Sequence, residues 1–171
     1  MMNYMETNDD ITPVKLIDGR KVLGLDNYCV YQFVAIANRL SSSASARYRE
    51  EFGVGIVEWR CMVMLALEDG VSAARICQVG GINKALVSRS LARLEELGYV
   101  EDHEETKRKP RYLKFTASGR KLYDRMLKQA LRREETLREG LSDSEIRELL
   151  RLLHKISGNV NKLAGEGGPK E

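Results

Sequence analysis

The residues of this chain best suited to chemistry are short polar groups and cations on one side of a helix, followed by a denser run of cations. They lie between Ser72 and Thr116. In NKALVSRSLARLEELG the apolar residues Val87, Leu91 and Leu94 fall at i, i+4 and i+7, one face of a 3.6-residue period. The opposite face carries Asn83, Lys84, Ala85, Ser88, Arg89 and, a turn later, Arg93. Such groups near a helix N-terminus suit a major groove: Arg and Lys read guanine edges, Asn reads adenine, and Ser takes phosphate or base. Taken alone, the same residues equally describe an ordinary solvated face.

The following segment breaks the tie. Tyr99-Val100-Glu101 reads as a short strand, and Tyr112-Leu113-Lys114-Phe115 alternates with Leu113 and Phe115 on one face. Between them lies EETKRKPR, a polar loop with Lys107, Arg108, Lys109 and Arg111 around Pro110. That is a hairpin with a cationic tip beside the helix, a wing. From Lys107 to Arg133 there are 11 Lys and Arg against one acid, Asp124, although the whole chain is only +3. Concentrated positive charge beside a groove-sized helix is the footprint of a phosphate-backbone partner. An RNA- or protein-binding module is the weaker reading, because no aromatic precedes Tyr99 in the helix to stack on splayed bases.

Several elements must position these groups. Ser72 is a plausible N-cap for a short helix with Ala73, Ile76, Cys77 and Val79 as its apolar residues. Gly80-Gly81 ends it, Asn83 caps the next helix, and Gly98 closes that one. Helix, sharp turn, helix is the helix-turn-helix arrangement.

NKALVSRSLARLEELGYVE followed by KRKPRYLKFTASGRKLYD resembles the MarR-type (multiple antibiotic resistance regulator) winged helix-turn-helix repressors. The most specific pieces are Leu94-Glu95-x-x-Gly98-Tyr99-Val100 and Leu113-x-Phe115-Thr116-x-x-Gly119. The likeness covers roughly residues 25 to 163. There is one departure. Wings of this family usually carry an Asp two residues before a tip Arg, and here Thr106 or Lys107 stands in that place. The resemblance implies a homodimer bound to a double-stranded operator, acting as a repressor that lets go on binding a small ligand, usually a phenolic or other aromatic acid. Candidate pocket residues are Tyr31, Trp59 and Arg60, each equally readable as core or surface. Cys29, in LDNYCVYQF, resembles the sensing cysteine of the organic-peroxide branch, off by one residue counted from Asn27. The plain reading of Cys29 is a buried small hydrophobe.

Composition agrees with a mainly α fold with a small β-wing. A chain of 171 residues suits one domain, and 43% hydrophobic residues can bury a core. Expected helices cover about 25–51, 57–68, 117–139 and 142–163, the last opened by the capping box Ser142-Asp-Ser-Glu145. The first and the last two carry more apolar surface than a small winged domain needs, and predict a helical dimerisation region built from both chain ends around a DNA-binding lobe at about 56–116. Residues 1–24 form an arm: a hairpin turning at Asp18-Gly19, or an extended segment lying on a partner subunit. Residues 1–10 are expected to be mobile and 165–171 disordered.

Cys29, Cys61 and Cys77 lack metal spacing and fit a reducing cytoplasm. His103 and His154 lie far apart, so no metal site is expected. No nucleophile elbow, P-loop or dinucleotide fingerprint appears, so neither an enzyme nor a cofactor is expected. There is no apolar run of about 18 residues to span a membrane, and METNDD is not a signal peptide.

Overall fold

The computed structural model describes residues 11–68, 70–103 and 111–166. Its elements are β1 (Val14–Ile17), β2 (Arg20–Leu23), a 3-10 turn (Leu25–Asn27), α1 (Cys29–Phe52), α2 (Ile56–Leu67), β3 (Val71–Ser72), α3 (Ala73–Gly80), α4 (Lys84–Glu96), β4 (Val100–Asp102), β5 (Tyr112–Phe115), α5 (Ala117–Arg138) and α6 (Asp143–Glu166). The chain divides into two compact units, Met1–Tyr123 and Asp124–Glu171.

The arm is a hairpin. Asp18 and Gly19 have φ of 50° and 76°, the pair of left-handed residues whose twist matches two antiparallel strands. Val14 pairs with Leu23 and Ile17 with Arg20. Residues 1–10 lie outside the described residues.

α1 has two characters. Its last turns bury Ala44, Tyr48 and Phe52, whereas Val30, Val34 and Ile36 in its first half stay exposed. The buried half joins the core of the first unit, in which Met62, Ile76, Val87 and Leu94 are fully buried. Trp59 of α2 sits in that core. Tyr123 stacks on it at 5.5 Å between ring centroids, and Tyr48 meets it edge-on at 5.9 Å. For this single large aromatic the sequence favours a core anchor over a ligand pocket, and packing places it in the core between two large rings.

The small sheet has the order β3-β5-β4, with Val71 opposite Leu113 and Val100 opposite Phe115. β3 is an addition to the expected pair of strands. Two residues are too short to show an alternation, so only tertiary pairing defines it.

The Thr116-x-x-Gly119 motif acquires a physical reason. Thr116 Oγ1 and Ser118 Oγ both donate to the Gly98 carbonyl, at 2.7 and 2.8 Å. Thr116 N–H donates to Tyr99 O at 3.1 Å, and Gly119 N–H to Thr116 Oγ1 at 3.1 Å, which caps α5. A Cβ at Gly119 would lie 1.8 Å from the Tyr99 carbonyl oxygen. The backbone passes too close there for any side chain.

In the second unit, α6 opens on the expected capping box. Ser142 N–H donates to Glu145 Oε2 at 2.8 Å, and Glu145 N–H to Ser142 Oγ at 3.4 Å. The helix continues to Glu166, so residues 165 and 166 of the expected tail are helical. Residues 167–171 lie outside the described residues. Leu149, Leu150, Leu153 and Val160 remain exposed along α6.

Gly119→Ala is expected to destabilise the fold by about 1–3 kcal/mol, since the obstacle is backbone and overpacked sites relax poorly. Gly158 of α6 has nothing within 4 Å of a built Cβ, so Gly158→Ala should instead stabilise, by up to about 1 kcal/mol. Denaturant midpoints of the two variants must move in opposite directions.

Candidate nucleic-acid interface

α4 is prepared at its N-terminus by local chemistry. Asn83 Oδ1 accepts from Ala85 N–H at 2.8 Å, leaving its amide nitrogen outward as a donor. α3 is capped in the same way, Ser72 Oγ accepting from Arg75 N–H at 3.3 Å. Gly81, at φ 58°, makes the turn between them. Val87, Ser90, Leu91 and Leu94 face inward. Lys84, Ala85, Ser88, Arg89 and Arg93 are all exposed, as the periodicity predicted, together with Leu86.

The wing's base differs from expectation. Arg111 is not a free cation. Its Nε and one terminal nitrogen donate to the two oxygens of Asp102, each at 2.8 Å. The same terminal nitrogen reaches Glu95 Oε1 at 2.7 Å, and the other reaches Glu95 Oε2 at 3.4 Å. The register explains this. Asp102 stands opposite Leu113, so Arg111 is its diagonal neighbour on the same sheet face. One guanidinium thereby ties β4, β5 and the last turn of α4 together. The Arg111 bonds hold the Asp102 carboxyl below its usual value, and those to Asp102 and Glu95 push Arg111 further up. Glu95 of the Leu94-Glu95-x-x-Gly98 motif has a partner. An ion pair of this kind therefore stands at the wing base. Lys107, Arg108 and Lys109 lie outside the described residues.

Other cations near α4 are held loosely. Arg93 lies 3.9 Å from Glu96, and Lys114 lies 3.6 Å from Glu101 across the strands. Exposed pairs of this kind contribute about 0–1 kcal/mol.

Sequence reading missed a second tie on α4. Ser90 Oγ donates to Glu58 Oε1 at 2.8 Å, while Glu58 Oε2 accepts from Gly55 N–H at 3.0 Å. Gly55 has no side chain to return the bond, so this is half a capping box. The Gly55-x-x-Glu58 spacing before an apolar run was its available signal.

The three candidate pocket residues fare differently. Trp59 is only 8% exposed, with its ring taken up by Tyr48 and Tyr123. Tyr31 is 43% exposed on the first turn of α1. Arg60 is exposed and donates to Ser41 Oγ of α1 at 3.3 Å. None of them lines the cleft of about 430 Å³ formed by Leu65, Ala66, Lys114, Phe115, Thr116 and Arg120. Cys29 is exposed, against the plain expectation of a buried hydrophobe. Cys61 is buried, and that burial pushes its thiol up to about 12; Cys77 is half-buried. Among the described residues no His, Cys, Asp and Glu cluster could hold a metal ion.

Arg111→Lys separates clamp from contact. Lysine keeps the charge but cannot span two carboxylates. If Arg111 works by clamping, Arg111→Lys and Arg111→Ala should weaken duplex binding alike; preserved affinity in the lysine variant would make it a simple phosphate contact. The Asp102 arm of the clamp has a defined pH window. A carboxylate depressed by folding stabilises above its unfolded value, near 3.8, and that stabilisation fades as pH falls through the lower folded value. Acid unfolding of Asp102→Asn should lack this component.

The sequence pattern of the MarR family matches residues 52–109. A solved MarR/EmrR family transcriptional regulator from Acinetobacter sp. ADP1 is 33% identical, with TM-score 0.75 over 81% of this chain and 98% of that one. A MarR family transcriptional regulator from Silicibacter pomeroyi is 22% identical, with TM-score 0.70 over 80% and 92% of the two chains. MepR of S. aureus, solved as a DNA complex, is 20% identical, with TM-score 0.68 over 79% and 98%. No curated protein matches. With the helix-turn-helix, the wing and a one-third identity spanning nearly all of a solved regulator, this chain belongs to the MarR family of transcriptional regulators.

Proposed function

We propose that this chain is a homodimeric repressor that binds a palindromic operator through α4 and the wing, and releases it on binding a small aromatic or phenolic acid. The observation that carries the DNA-binding part is the state of α4. Its C-terminal end is pinned to α5 and the wing base, while its N-terminal half presents Asn83, Lys84, Ser88 and Arg89 to solvent. MepR of S. aureus and a Listeria monocytogenes protein of the same fold were both solved with DNA, which supports the reading.

Pairing follows from apolar surface. Val30, Val34 and Ile36 of α1 and Leu149, Leu150 and Leu153 of α6 are exposed in a single chain. Exposed large apolar side chains in such number mark association surfaces. Two α4 helices related by a two-fold axis would read half-sites about 34 Å apart. The ligand step rests on family likeness, with Tyr31 and Arg60 the exposed candidates to receive an aromatic acid.

A second trigger has one observation in its favour: Cys29 is exposed on the first turn of α1 and accessible to an oxidant.

Selection of bound duplexes from a random pool tests the main reading, followed by titration with small aromatic acids. A preferred palindrome, a dimer by sedimentation and release by an acid are expected. No sequence preference, or single subunits at binding concentrations, would remove the proposal. Arg89→Ala should weaken the selected duplex by about 1–3 kcal/mol while sparing random DNA. If peroxide is the trigger, cumene hydroperoxide should release the wild type but not Cys29→Ser.

A further inference from the structure

α4 has two flanks. One meets the wing through Glu95 and Arg111. The other faces a cleft of about 350 Å³, walled by the end of α1, the start of α2 and α4 itself, with Ser45, Arg49, Glu58, Arg89, Ser90 and Arg93 among its lining.

The polar groups of this cleft are unevenly matched. Three guanidiniums share it with one carboxylate, which leaves two positive charges in excess. Glu58 already accepts from Gly55 N–H and Ser90 Oγ, one bond to each oxygen. Arg93 has, among the described residues, only the long contact to Glu96, at 3.9 Å. Among the described residues, no carboxylate pairs with Arg49 or Arg89. In the wall, the Ser45 hydroxyl is buried without a hydrogen-bond partner.

Groove geometry says what such a cleft meets. A helix with its side chains is about 10–12 Å across, and the major groove is about 12 Å wide. A helix filling the groove therefore runs beside phosphate backbone on both flanks. The wing serves one flank. We propose that the cleft is a phosphodiester site serving the other, with Arg49 of α1 its principal new cation and Arg93 its second. Arg89 lies on both the exposed face and the cleft, so a duplex along that face brings a backbone strand to the cleft mouth. A free small anion would gain less, because the cleft is open to solvent and Glu58 stands in its wall.

This inference rests on the DNA-binding reading above, and the experiment separates the two. Binding of the full chain to a mixed-sequence duplex is measured across a sodium chloride series for wild type, Arg49→Gln and Arg49→Lys. A lost phosphate contact lowers the slope of log K against log salt by about 0.9. Arg49→Gln should show that loss and weaken selected and random duplexes by the same factor, and Arg49→Lys should restore the slope. Arg93→Gln carries the same expectation should Arg49→Gln melt early. A wild type that binds with a slope unchanged in both glutamine variants overturns the cleft alone. If instead inorganic phosphate protects the wild type but not Arg49→Gln against heat while the slopes agree, the occupant is a free anion and the phosphodiester assignment fails. A wild type that binds no duplex at any salt removes the functional reading and the cleft together.

Discussion

A helix that enters a groove has to be held by the end that stays outside. In this protein that constraint is met at the C-terminal end of α4, within a few residues of Gly98. The Gly98 carbonyl takes two hydroxyl bonds from the start of α5, and the Tyr99 carbonyl takes a backbone bond from Thr116. Arg111 adds a charged tie from the wing base to Glu95. The N-terminal end of α4 carries its own Asn83 cap. Contacts within the chain thus fix the end of α4 and the base of the wing, and groups already held in place cost less entropy to fix on binding. The motif glycine at 119 belongs to the same device, because a side chain there would drive α5 off the Tyr99 carbonyl.

Charge in this chain divides into cations that shape the protein and cations left over. Arg111 and Arg75 belong to the first kind, each gripping carboxylates through paired nitrogens. Arg111 and its two acids are all between 42% and 47% exposed, so solvent screens the attraction. Exposed pairs of this kind add little to stability, and their value lies in geometry, since a planar fork fixes an angle that a single ammonium does not. Arg49 and Arg89 belong to the second kind. Screening reduces exposed charges within about 8 Å at physiological salt, so only cations beside the groove walls count toward a backbone contact. The net +3 of the chain therefore says less about its partner than the position of a few uncommitted guanidiniums.

Much of this architecture was legible in the residues. The turn glycines, the Ser72, Asn83, Thr116 and Ser142 caps and the inward face of α4 all follow from local rules, and local rules are what a sequence displays. What stayed hidden depended on register. Arg111 reads as one more wing cation until β4 is laid against β5, and nothing in EETKRKPR fixes how the two strands slide past each other. Glu95 and Asp102 look idle for the same reason. Ser90 reads as a small polar residue on a buried face until α2 delivers Glu58 to it. Arg49 sits on a helix whose apolar stripe drew the eye to pairing, and only packing brings it beside Arg89 and Arg93. Trp59 reads as core more readily than as pocket, but a lone large aromatic does not name its neighbours. Two neighbouring rings decide it.

The two characters of α1 bear on how the proposed pairing would be joined to DNA binding. At about 1.5 Å per residue its 24 residues form a rod of roughly 36 Å. The first half shows Val30, Val34 and Ile36 to solvent; the second half buries Tyr48 and Phe52, with Tyr48 against Trp59 of α2. Trp59 lies one residue from Glu58, which holds Ser90 of α4. The first half of α1 is therefore connected to α4 by a continuous helix, one ring contact and one hydrogen bond. Close-packed interiors transmit displacement instead of absorbing it. A ligand that favoured one seating of α1 over another could shift α4 only by its difference in affinity for the two seatings.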